Sequence, residues 1–132
     1  MFNLTKYNMR ILSHQTHACP QTVTHSGNTH TCDLSKNKDF ILTANAATNT
    51  IALSVEAKDV GQAGNIIINN AGSGTVAFAA LPSYMLTPDG ATVSFVTTNS
   101  AISIISYYVV QCTDPADTAT WKVLVNYVGN FA

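Results

Sequence analysis

Along most of the chain, apolar and polar residues alternate with a period of two. Ile51, Leu53 and Val55 alternate with Ala52, Ser54 and Glu56, and Trp121, Val123, Val125 and Tyr127 alternate with Lys122, Leu124 and Asn126. Phe40, Leu42 and Ala44 follow the same rule more weakly. Successive side chains of a strand point to opposite faces, so this period predicts strands with one buried face. Two runs are more continuous. Asn65-Ile66-Ile67-Ile68-Asn69 is short and β-branched, and residues 101–110 read Ala-Ile-Ser-Ile-Ile-Ser-Tyr-Tyr-Val-Val. Such strands are expected to be covered on both faces, in a core or against a neighbouring subunit.

Between the runs lie residues that break them for physical reasons. Gly72-Ser73-Gly74 permits positive φ in a tight hairpin, and Pro88-Asp89-Gly90 is a strong turn because proline presets φ. Asn45 to Asn49 reads as a short loop, and Thr113-Asp114-Pro115-Ala116-Asp117 as a hairpin loop between two clear strands. The strands are predicted at 21–25, 29–34, 39–44, 50–56, 65–69, 75–79, 91–97, 101–111 and 120–128. One helical turn fits between Val55 and Gly64. Residues 1–20 carry no clear pattern and are read as an N-terminal arm ahead of one domain over 21–132. Short strands at this spacing predict an all-β fold, a jelly-roll-like β-sandwich of about eight to nine strands.

Composition sharpens this picture. With 132 residues, 46% of them hydrophobic, the chain suits one domain with a real core. Only 10% are charged, against roughly 25% in an ordinary globular protein. The surface must therefore be built from Thr, Ser, Asn, Gln and Ala, which suits packing against other copies or contact with neutral, hydroxyl-rich partners. Net charge is −1, and the six basic residues are scattered from Lys6 to Lys122. That leaves no basic patch for nucleic acid and no polybasic membrane signal. No stretch approaches the roughly 18 apolar residues of a membrane span. The first dozen residues lack the apolar region of a signal peptide, so folding in a cytoplasm is expected.

Candidate chemistry concentrates in the N-terminal third, which holds all four histidines, His14, His17, His25 and His30, and two of the three cysteines. Thr16-His17-Ala18-Cys19 and Thr29-His30-Thr31-Cys32 echo each other. Residues two apart on a strand share a face, so two paired strands would offer His17, Cys19, His30 and Cys32 as a tetrahedral zinc set. Against it, structural zinc sites use Cys-x(2–4)-Cys knuckles, and the chain has none. Polar strand decoration with small buried thiols is the favoured alternative, and a Cys19–Cys32 bridge is another. Three cysteines, Cys112 being the third, do not make a disulfide framework. No cofactor other than that zinc is indicated.

Catalysis finds little support. A Cys–His nucleophile needs a base within hydrogen-bond reach and an orienting partner, whereas these residues read as neighbours on a strand. The seven carboxylates form no obvious acid/base pair, and Asp89 is explained by its turn. Asp114 and Asp117 on a hairpin loop are too few for calcium. Gly61-Gln62-Ala63-Gly64 lacks the context of a phosphate loop. No catalytic residue is assigned. Trp121, Tyr127, Phe95 and Phe78 fit alternating core positions, while Tyr84, Tyr107 and Tyr108 are left open between a sugar-stacking platform and the default of core or subunit interface.

From Phe40 to Phe131 the order of the pieces is distinctive. Gly61-Gln62-Ala63-Gly64-Asn65-Ile66-Ile67-Ile68 is followed by Gly72-Ser73-Gly74-Thr75 and Phe78. Then come Pro88-Asp89-Gly90-Ala91, Thr97-Thr98 through Tyr107-Tyr108-Val109-Val110, and Val123-Leu124-Val125-Asn126-Tyr127. This order resembles a β-rich domain of structural proteins in tailed phages, especially marine and cyanobacterial ones. Such domains form the ends of tail fibres and small stand-alone virion proteins. The resemblance implies a place in the particle, assembled in the host cytoplasm, with no catalytic residues to transfer. Because only a short arm and no repetitive shaft precedes the domain here, the expectation is a capsid decoration or cement protein. It would be a homotrimer that binds the major capsid protein, with the arm as clamp. The alternative is a tail or fibre module that binds host glycan. The His/Cys segment 14–32 lies outside the resemblance.

Overall fold

A computed structural model describes residues 19–45, 47–71 and 76–131 of the chain. Among them nine strands form two sheets: β1 (Gln21–Thr22), β2 (Thr29–Asp33), β3 (Phe40–Ala44), β4 (Thr48–Ser54), β5 (Ala63–Asn70), β6 (Ala77–Phe78), β7 (Met85–Leu86), β8 (Ile102–Cys112) and β9 (Trp121–Phe131). The larger sheet runs β1-β3-β5-β8-β9-β7 and the smaller β2-β4-β6. The all-β character follows the period of two. Most of the N-terminal arm, and the Gly72–Gly74 turn, lie outside the described residues.

The connectivity corrects the jelly-roll expectation. A jelly roll is built from antiparallel strands, whereas here β1, β3 and β5 pair in parallel, as do β2, β4 and β6, and β7 with β9. From β1 to β6 the chain changes sheet at every connection, so it winds as stacked coils. Gln21 lies beside Phe40, 19 residues on, and Phe40 lies beside Ile66, 26 residues on. Apolar alternation is the same in parallel and antiparallel strands, so it is silent on this point. The connections decide it, by carrying the chain across to the other sheet instead of back along its own. Antiparallel pairing begins only where β8 joins β5 and then folds back on β9, around the hairpin loop expected at 113–117.

Segment 91–97 is not a strand, contrary to expectation; the short β7 was missed instead. At Val96 the segment's backbone groups are taken by side chains. Val96 N–H donates to Tyr127 Oη at 2.9 Å, and Asn70 Nδ2 donates to the Val96 and Thr98 carbonyls at 2.8 and 3.0 Å. Phe95 still reaches the core edge, stacked on Phe78 with ring centroids 4.6 Å apart. The helical turn expected within 55–64 is a 3-10 turn over Ala57–Asp59.

Inward side chains of both sheets meet in one hydrophobic cluster. Phe40, Leu42, Ile66, Ile68, Ile105 and Val123 come from the larger sheet, and Cys32, Ile51 and Leu53 from the smaller. Each large apolar side chain so buried contributes roughly 1.5–3 kcal/mol relative to exposure. Tyr84 ties the layers together. Leu53 N–H donates to its hydroxyl at 2.8 Å, and its ring meets Trp121 edge-on at 4.9 Å. Trp121 in turn donates its ring N–H to the Asp114 carbonyl at 3.0 Å.

The Gly-Gln-Ala-Gly motif has a structural task. Gly61 adopts φ +92°, and Gly64 lies so close to β3 that an added Cβ would sit 1.9 Å from the Lys38 carbonyl oxygen. Gln62 donates to the Asn37 carbonyl and to Tyr107 Oη, and Tyr107 donates to the Lys38 carbonyl at 2.6 Å. Burial pushes the Tyr107 phenol up to about 12, which keeps its proton on the oxygen for that bond.

Candidate functional site

The His/Cys echo is absorbed differently at each end. His17 lies outside the described residues, as does His14. His30 and Cys32 do share one side of β2, as their spacing predicts, and both are fully buried. That side faces the core. Burial pushes the Cys32 thiol up to about 12, so it is a neutral thiol at ordinary pH and a poor nucleophile or metal ligand. Cys19 is exposed, and Cys19, Cys32 and Cys112 are all free thiols. Among the described residues no three His, Cys, Asp or Glu side chains gather into a metal-holding group. Cys112 is buried against the Val55 carbonyl at 3.8 Å, and burial, followed by nearby carboxylates, raises its pKa too. In native protein one thiol, Cys19, is expected to react rapidly with a maleimide, the other two only after unfolding. Rapid native labelling of a Cys19→Ser variant would contradict this placement.

His30 belongs to a polar corner that the sequence concealed. Its Nε2 lies 3.0 Å from Asn49 Oδ1, which assigns the proton to Nε2, and Nδ1 has no partner among the described residues. Asn49, read from sequence as loop, sits inside β4 with no exposure. Its Oδ1 also accepts from Asn45 N–H, and its Nδ2 donates to the carbonyls of Asn45, Ala47 and Ala77. One amide thus links neighbouring strands β2, β4 and β6 at a coil corner. A residue enriched in loops gives no sequence signal of such burial.

The carboxylates serve turns. The Ser35 hydroxyl, 2.7 Å from Asp33, holds that carboxyl below the ordinary range. Asp39 accepts from Asn65 N–H and Asp59 from Glu56 N–H. Asp114 and Asp117 accept from amides of their own loop, as a hairpin tip requires. None of these contacts joins two carboxylates.

Two adjoining clefts, of about 380 and 310 Å³, lie along residues 80–94. They share Thr87, Ala91, Thr92 and Val93, and their side-chain hydroxyls include Ser83 and Ser94. No charged residue lines either. Of the three tyrosines left open by the sequence, Tyr84 and Tyr107 are buried in the core and Tyr108 is exposed, though it lines neither cleft.

The broadest exposed feature is the outward face of the larger sheet. Strand register places Ile41, Ile67, Ile104 and Val128 in one row across four strands. A second row joins Tyr108, Leu124 and Leu86. Between them runs an amide and hydroxyl row of Asn65, Ser106 and Asn126, in which Ser106 donates to Asn65 at 2.8 Å. Among the described residues of β5, β8, β9 and β7, Lys122 is the only charge. The run of apolar residues at 101–110 is thus split by the strand. Ile105, Tyr107 and Val109 enter the core, while Ile102, Tyr108 and Val110 face out.

Compared with protein-family models, with curated proteins and with solved structures, the chain matches none. Among the described residues no helix is long and apolar enough to cross a membrane.

Proposed function

We propose that the chain is a non-catalytic building piece of a virus particle, a decoration or cement protein of a tailed-phage head. The observation that carries this reading is the uncharged, partly apolar outward face of the larger sheet. Such a surface is a liability on a solitary soluble protein and an asset in an assembly. The buried thiols and the turn-bound carboxylates favour a scaffold over an enzyme. In this reading the partners are further copies of the chain and the major capsid protein, and the location is the virion. The mechanism is mechanical: each copy buries apolar surface between shell subunits and so raises the barrier to rupture.

The clefts along residues 80–94 favour a second reading, a tail or fibre module that binds host glycan, because their lining is neutral and rich in hydroxyls. One experiment separates the two. Purified chain is offered to emptied phage heads stripped of their outer proteins and, in parallel, to immobilised host-surface polysaccharide. Saturable co-sedimentation with heads, together with a higher temperature of head rupture, is the expected result. Retention by polysaccharide alone would transfer the proposal to the adhesion reading, and binding to neither would overturn both.

A further inference from the structure

The larger sheet turns inward a complete hydrophobic layer and turns outward a second, incomplete one. Leu86, Ile102, Tyr108, Leu124, Val128 and Phe131 are each 40–50% exposed on that outward face. Together with Val110, the part-buried Ile41, Ile67 and Ile104 and the amide row, they span the sheet from β3 to β7, the kind of breadth over which one partner of a standard protein interface contributes about 800 Å².

We propose that this face packs against the same face of a second copy of the chain. The inference rests on the reading of the protein as an assembling module and names the partner of that surface. Three features select a second copy. First, the face lacks the positive charge that nucleic acid or an anionic surface requires, and two such faces brought together meet no like-charge repulsion over their centres. Lys122 stands at one end of β9, opposite Gln111, outside the three rows. Secondly, the pattern is self-complementary. A half-turn about an axis along the Asn65–Ser106–Asn126 row, between the two copies' sheets, lays Tyr108 and Leu124 of one copy over Ile104 and Val128 of the other. It brings the two amide rows face to face, Asn65 against Asn65 and Asn126 against Asn126, where the side-chain amides can exchange hydrogen bonds. A two-fold interface demands that kind of matching. Thirdly, β8 at the centre of the face is paired along both sides, by β5 and by β9, so its main chain is occupied and the free valence there lies in its side chains, while β9 meets β7 only at Val123 and Leu124. Sheet stacks on sheet at about 10 Å through interdigitated side chains of this size.

The test is the mass of the purified chain by size-exclusion chromatography with light scattering, without any phage component present. Wild type is expected to run at twice the mass of the single chain, or an even multiple of it, and a trimer would overturn the two-fold pairing. Tyr108→Lys and Leu124→Lys, each placing a charge in the middle of a row, are expected to run as single chains. Val60→Lys, an exposed apolar residue in the turn before β5, is expected to leave the mass unchanged. Slow native labelling of Cys32 in each variant verifies that the core is intact. Wild type running as a single chain overturns the inference, as does an assembly that survives both row substitutions. Neither result touches the head-binding experiment, so loss of this inference and loss of the particle reading are separable.

Discussion

Asn49→Leu is expected to cost about 3–5 kcal/mol, among the larger effects open to a single substitution. Leucine branches at Cγ as asparagine does and is bulkier and far more apolar, so a simple view of burial predicts a gain. The bonding predicts a loss. His30 Nε2–H would be left in the core facing a methyl group, and the Asn45 and Ala77 carbonyls would lose the donor that joins them. Leaving a buried polar group without its partner costs roughly 1–3 kcal/mol each. Equilibrium unfolding in urea measures the difference directly. A cost below about 1 kcal/mol would mean that the corner amide is dispensable and that the coils are held by apolar packing alone.

Gly64→Ala should be comparably harmful, at about 3 kcal/mol or more, although it adds a single methyl group. The φ of Gly64 is not the reason. The reason is space: the new Cβ would meet backbone, the Lys38 oxygen at 1.9 Å and its carbon at 2.7 Å, and would crowd the Tyr107 hydroxyl at 2.8 Å. Backbone cannot swing aside as a side chain does, so β3 and β5 must separate at their first pair and Tyr107 must give up the Lys38 carbonyl. Gly90→Ala is the matched control. It sits at φ +67° with nothing within 4 Å of the added carbon, so its cost is conformational, roughly 1 kcal/mol. Urea unfolding of the two variants side by side should rank Gly64→Ala well below Gly90→Ala in stability. The reverse order would show that the close approach of the two strands relaxes freely.

Both positions illustrate how the sequence carries meaning that only the fold decodes. Gly61-Gln62-Ala63-Gly64 is visible as a motif, and its glycines advertise a backbone requirement. That one glycine answers a positive φ and the other the bend at Lys38, 26 residues away, cannot be read from the motif itself. Asn49 is harder still, because an asparagine between Thr48 and Thr50 has the composition of a surface loop. Its burial depends on His30 and Ala77 arriving from neighbouring coils.

Local pattern by itself determined the strands and their buried faces, because alternation of side chains is a property of an extended backbone whatever its neighbours do. It placed β2 through β5, β8 and β9, gave the inward residues of β3, β4 and β9, set His30 and Cys32 on a common side, and marked the hairpin loop at 113–117, whereas β5 and β8 were expected to be covered on both faces. It also showed a surface poor in charge. Tertiary structure decided the rest. Which strands pair, and in which direction, depends on where each connection delivers the chain, and the coils β1 to β6 run parallel for that reason. Segment 91–97 has the alternation of a strand, but no strand pairs with it, and Tyr127 and Asn70 take the Val96 N–H and carbonyl instead. The common side of His30 and Cys32 became core instead of a ligand face once β2 lay beside β4. The apolar residues of β8 were divided between core and exterior by the same placement, since an element's two faces acquire their roles only when one of them is covered.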